Sequence, residues 1–127
     1  MNVEKIYVLH YSKLKDRKER LEAQFKDLGI DVEYITEFDQ EDLNDELINS
    51  VYDSSKEMYD TKIHSTYGNK STPHRILNKA EISCTFKHRL AIKKIAKECD
   101  NYGLIFEDDV VFVKNFVEKF NIFLEST

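Results

Sequence analysis

The chain has no tryptophan, one proline, three glycines and two cysteines among its 127 residues. So little glycine and proline excludes a collagen-like or low-complexity chain, since both need those residues in bulk. Cys84 and Cys99 stand fifteen positions apart, outside any CxxC pair, so neither a zinc knuckle nor a redox motif is written here. Both are expected reduced and buried. No run approaches the roughly 18 or more apolar residues of a membrane span, and the start of the chain carries too many charges for a signal peptide. A basic excess is also missing: 19 Lys and Arg against 24 Asp and Glu leave a net charge of −5. That is the wrong sign for a protein whose main task is to displace counterions from nucleic-acid phosphates. The expected setting is the cytoplasm, with no nucleic-acid partner and no membrane span; peripheral membrane contact stays open.

What is present suits a packed globule. Apolar residues make up 41% and aromatic residues 12%, in a length typical of one domain. Residues 6–9 (Ile-Tyr-Val-Leu) form a short β-favouring run, too short for a helix. Asp16 and Glu19 have the spacing of a capping box, and Leu14, Leu21, Phe25 and Leu28 follow at helical intervals. Gly29 sits where a left-handed cap is needed, with Ile30 placed to fold back on the last turn. Residues 32–38 resume β-rich composition, which makes a strand–helix–strand unit with parallel strands and a right-handed crossover.

From Asp39 the pattern weakens, with Leu43, Leu47 and Val51 lining one short helix and an irregular excursion expected over about residues 52–78. Asn78 and Glu81 form a second capping box, and Cys84, His88, Ile92, Ile95 and Cys99 then recur at helical spacing. Residues 102–106 read as a third buried strand running into Glu107, Asp108 and Asp109. Asn115 and Glu118 form a third capping box before a final helix marked by Phe116, Phe120, Phe123 and Leu124. The expected architecture is a single α/β unit over residues 1–127, with a three-stranded, mainly parallel sheet of order 2-1-3 flanked by helices.

In open parallel sheets ligands bind beyond the carboxyl ends of the strands, where successive connections diverge. With order 2-1-3 that crevice lies between His10-Tyr11 and Glu107-Asp108-Asp109. Three adjacent carboxylates repel one another, and a divalent cation removes that cost. Hard oxygen ligands select Mg²⁺ or Mn²⁺, which bind through one or two carboxylates plus substrate phosphates. Each residue also has an ordinary reading. The acids can be a solvated turn, His88 a packed helix residue, Arg17 a surface ion pair instead of a phosphate ligand, and Tyr11 simple packing. His64 and His74 have no metal-ligand spacing.

Three blocks in this order resemble glycosyltransferase family 25, which includes lipooligosaccharide and collagen galactosyltransferases. They are residues 7–11 followed by Asp16-Arg17, residues 80–88 (Ala-Glu-Ile-Ser-Cys-Thr-Phe-Lys-His), and residues 104–110 (Leu-Ile-Phe-Glu-Asp-Asp-Val). Ala80 and Lys87 stand where the family shows Gly and Ser. The order of three blocks is more specific than any one of them.

The resemblance implies a Rossmann-like GT-A type nucleotide-binding half, a UDP-hexose donor such as UDP-galactose or UDP-glucose, and a saccharide acceptor in cell-surface glycan synthesis. It implies Mn²⁺ or Mg²⁺ as cofactor and an inverting transfer. Asp109 and Glu107 would meet the metal in a DxD-like role, while His10, Tyr11, Arg17, His88, Glu107 and Asp108 would hold the donor. Family members run well beyond this length, so this chain is expected to carry the donor half, with the acceptor site and catalytic base outside it. The competing expectation is a non-catalytic α/β interaction or assembly module capable of self-association. A phospho-acceptor receiver fits less well, because its acid pair should follow the first strand, where His10-Tyr11 stands.

Overall fold

The computed structural model describes residues 2–53 and 76–127. Among them the elements run β1 (Lys5–Leu9), α1 (Lys15–Leu28), β2 (Glu33–Ile35), a 3-10 turn (Gln40–Asp42), α2 (Asp45–Asn49), α3 (Lys79–Glu98), β3 (Gly103–Glu107) and α4 (Phe116–Glu125). The chain forms two compact units: Phe38–Ser83, and the residues before Phe38 together with Cys84–Thr127.

The unit that holds the strands carries a parallel sheet of order β2-β1-β3, as the sequence predicts. A central parallel strand is covered on both faces and so reads as an unbroken apolar run. Accordingly Ile6, Tyr7, Val8 and Leu9 are all buried. Alternation divides them between two layers. Tyr7 and Leu9 pack with Ile35 and Ala91, joined by Leu90 and Ile95 of α3 and by Ile105. Val8 packs on the other face with Leu21 and Phe25 of α1, joined by Phe106 and Phe112. Burying side chains such as Leu21 and Phe25 contributes roughly 1.5–3 kcal/mol each.

α1 ends as predicted. Gly29 takes φ 65°, its N–H donates to the Lys26 carbonyl at 3.1 Å, and Ile30 N–H donates to the Phe25 carbonyl at 2.9 Å. These are the two bonds of a Schellman motif. Its start differs from expectation: Leu14 precedes the first helical residue, and no side chain caps the helix. A turn in which Leu14 N–H donates to the Tyr11 carbonyl leads straight into the helix. Asp16 is thereby placed inside the first turn, so the Asp16–Glu19 box does not form. The Asn115–Glu118 box is absent too, because Asn115 adopts left-handed φ 59° and makes no side-chain cap bond.

The buried face of α3 is also rotated from the predicted stripe. Ile82, Ser83, Phe86, Lys87 and Ala91 are buried, whereas Ile92 is 57% exposed. The inward face includes a lysine and a serine, so hydropathy alone pointed to the neighbouring line of residues. Cys84 and Cys99, on that neighbouring line, are free thiols and half-buried instead of buried. On α4 none of the residues is fully buried; Phe116 and Phe120 stack with ring centroids 5.6 Å apart, and Phe123 is exposed.

In the unit Phe38–Ser83, the Asn44 side chain accepts from Leu47 N–H at 2.8 Å and caps α2. The Asn78–Glu81 box forms reciprocally, with bonds of 3.2 and 2.9 Å. Ser83 Oγ donates to the Phe38 carbonyl at 2.6 Å. Most of the predicted excursion over 52–78, with His64 and His74, lies outside the described residues. No helix among the described residues is long and apolar enough to cross a membrane.

Candidate functional site

Strand register builds the site. Leu9 pairs with Glu107, so the next residue on each chain, His10 and Asp108, leaves the ladder side by side. His10 Nδ1 lies 3.0 Å from Asp108 Oδ2, and Tyr11 N–H donates to the same oxygen at 3.3 Å. From the first turn of α1, Arg17 donates to Asp108 Oδ1 at 2.8 Å. The Asp108 side chain is 12% exposed and His10 only 1%. Burial pushes the Asp108 carboxyl upward, but bonds from Arg17, His10 and the Tyr11 backbone outweigh it and hold the group below the usual carboxylate range. Asp108 is therefore an anion with both oxygens engaged.

His10 is anchored through its backbone and through Nδ1, while its buried Nε2 has no hydrogen-bond partner among the described residues. Its backbone N–H donates to the Ile35 carbonyl, and its ring meets Tyr34 edge-on at 5.8 Å. Its carbonyl accepts from Lys87 Nζ at 3.0 Å, and the same ammonium donates to the Glu37 carbonyl at 3.0 Å. A buried ammonium is costly unless its donors are satisfied. Lys87, 4% exposed, meets that condition and ties the exit of β1 to the segment after β2. With its ring buried, His10 reaches the crevice through Asp108.

The flanking acids face outward. Glu107 Oε1 lies 2.9 Å from His88 Nε2 and accepts from Cys84 Sγ at 3.6 Å. Burial, followed by the nearby Glu107 carboxylate, pushes the Cys84 thiol up to about 11. Asp109 is exposed and, with Arg17, Arg20 and Gln24, lines an open cleft of about 190 Å³. A larger cavity of about 640 Å³ opens at the other end of the strands, beside Glu4, Lys5 and Gly29. None of these three acids lines it.

The seven candidate site residues thus come to the carboxyl end of the sheet, six of them in two groups: His10, Tyr11 and Arg17 around the Asp108 carboxylate, and His88 with Glu107. Asp109 stands apart on the cleft. The sequence does not mark two further participants. Lys87 reads there only as a departure from a motif. Cys84 reads as a buried, reduced helix residue, although its position four residues before His88 puts both on one helical face.

Comparison with curated proteins gave no match. A family model described as glycosyltransferase family 25 (LPS biosynthesis protein) matches residues 3–127, the stretch that carries the three motif blocks and every one of these site residues. The chain belongs to glycosyltransferase family 25.

Proposed function

We propose that the crevice between the exits of β1 and β3 binds the diphosphate of a UDP-hexose, galactose or glucose, for inverting transfer to a saccharide acceptor. The observation that carries this reading is the Asp108 hub. One carboxylate fixes Arg17 against the strand exits and leaves Glu107 and Asp109 exposed on either side. The guanidinium of Arg17, about a third exposed, keeps donors for a phosphate, and Arg20 lines the same cleft. Planar guanidinium forks suit phosphate oxygens.

The donor chemistry suits a hard divalent cation, since Glu107 and Asp109 offer exposed carboxylate oxygens and Mn²⁺ or Mg²⁺ ordinarily takes one or two such groups beside substrate phosphates. When bound, the ion supplies charge neutralisation for the departing diphosphate. The chain's own residues hold and orient. Asp108 keeps Arg17 ordered, Lys87 keeps the β1 exit in place, and His88 restrains Glu107.

Calorimetry with UDP, with and without Mn²⁺, tests the reading on the intact chain and on Asp109→Ala and Arg17→Ala. The expected result is Mn²⁺-dependent binding that Asp109→Ala abolishes and Arg17→Ala weakens. Binding that ignores both Mn²⁺ and Asp109 removes the metal assignment, and no binding by the intact chain removes the donor site.

A further inference from the structure

Cys84 and His88 lie one turn apart on α3, and both meet Glu107 at the end of β3. One ligand atom from each, Sγ, a ring nitrogen and a carboxylate oxygen, falls within 4.8 Å of the others. Bonds of about 2.3 Å to sulfur and about 2.0–2.2 Å to nitrogen or oxygen, set tetrahedrally, place sulfur and oxygen roughly 3.6 Å apart and nitrogen and oxygen roughly 3.4 Å apart. Two of the observed separations are 3.6 and 2.9 Å, and the third, from Sγ to the ring nitrogen, falls within the same 4.8 Å, so side-chain adjustment alone brings the three groups round an ion. All three are reachable, since Cys84 and His88 are half-buried and Glu107 is exposed.

We propose that Cys84, His88 and Glu107 form a site for a borderline-soft divalent ion of the zinc class, distinct in ligand chemistry from a carboxylate–phosphate cation site. A thiolate and an imidazole disfavour Mg²⁺ and Mn²⁺ and favour Zn²⁺ or its spectroscopic substitute Co²⁺. Three protein ligands leave a fourth position for water or substrate. The ion also clips α3 to the exit of β3, so its binding raises the stability of the folded chain by mass action. Glu107 is common to this site and to the donor reading, whereas Cys84 belongs to this site alone and Asp109 to the donor reading alone, so variants at those two positions separate them.

The test uses the full chain, reduced and without nucleotide. Co²⁺ titration is expected to give a thiolate-to-cobalt charge-transfer band that saturates at a single equivalent and is displaced by Zn²⁺. The band should survive in Cys99→Ser and Asp109→Asn and vanish in Cys84→Ser. His88→Gln should weaken zinc at least as much as the roughly 10–100-fold typical of losing a supporting partner. Zn²⁺ should also raise the melting temperature of the intact chain, a readout that needs no variant to fold. Absence of the band in the intact chain overturns the proposal, as does its persistence in Cys84→Ser or a melting temperature indifferent to Zn²⁺.

Discussion

Arg17 Nη1 lies 2.8 Å from Asp108 Oδ1 and joins the first turn of α1 to the exit of β3 across 91 positions of sequence. The pair is asymmetric, because Arg17 is 37% exposed and Asp108 12%. Removing the buried partner leaves His10 and the Tyr11 N–H without their acceptor, whereas removing Arg17 leaves a carboxylate still held by both. Asp108→Ala is therefore expected to lower stability by about 2–3 kcal/mol, and Arg17→Ala by about 1 kcal/mol or less. Urea unfolding followed by circular dichroism, with an unchanged m-value, measures both. Equal losses would contradict the hub role of Asp108.

Lys87 supports the same strand exit from the other side. Lys87→Met keeps most of the apolar stem but withdraws the donor from the carbonyls of His10 and Glu37. Leaving the buried His10 carbonyl without that donor is expected to lower stability by about 1–3 kcal/mol. The amide of Tyr11 should also exchange faster with solvent, because the chain it belongs to loses an anchor. A neutral Lys87→Met, read by thermal unfolding and hydrogen exchange, would mean that the ammonium is not holding the exit of β1.

These two residues mark how far the sequence could be read. The sheet order, the Gly29 stop and the convergence of Asp108 with His10 and Arg17 were legible because they follow from apolar runs, a required left-handed cap and parallel connectivity. The buried face of α3 was not, because Lys87 and Ser83 point inward and satisfy backbone carbonyls. Composition rules place such residues outside. The Asp16 and Asn115 boxes show the converse. Each has the right spacing, but the turn before α1 and the left-handed backbone at Asn115 remove the geometry a cap needs. Cys84 with His88 was legible in spacing and uninterpretable until β3 placed Glu107 beside them.

Tyr7 predicts an alkaline effect. Burial first, then the hydrogen bond to Glu98 at 2.5 Å, keep its phenol protonated well above the ordinary range. Above pH of about 10 an unfolded tyrosine gives up its proton while the folded one retains it. The unfolded state then binds fewer protons, and stability falls as pH rises toward the folded value. Tyr7→Phe lacks this titration. Near pH 7 it should be less stable than the parent by about 1 kcal/mol for the lost bond, and the gap should narrow as pH climbs past about 10. A gap independent of pH, measured by denaturant midpoints across that window, would show that Tyr7 is not selectively protonated.

Gly103 begins β3 where α3 presses closest. A β-carbon built there would lie 2.5 Å from Ile95 Cγ1 and 2.8 Å from both Cδ1 and Cγ2. Two of those atoms are bonded directly to the Ile95 β-carbon, so rotation about the end of the side chain does not clear the space. Gly103→Ala would otherwise help a strand slightly, by about 0.5–1 kcal/mol, but overpacking against a stiff β-branched neighbour should make it destabilising by about 1–3 kcal/mol. The two positions are in contact and should couple. In an Ile95→Ala background the crowding atoms are gone, and Gly103→Ala should become neutral or stabilising. Urea unfolding of the four proteins of this cycle reads the sign change directly. Additive losses would show that the glycine is required by the backbone and not by the approach of Ile95.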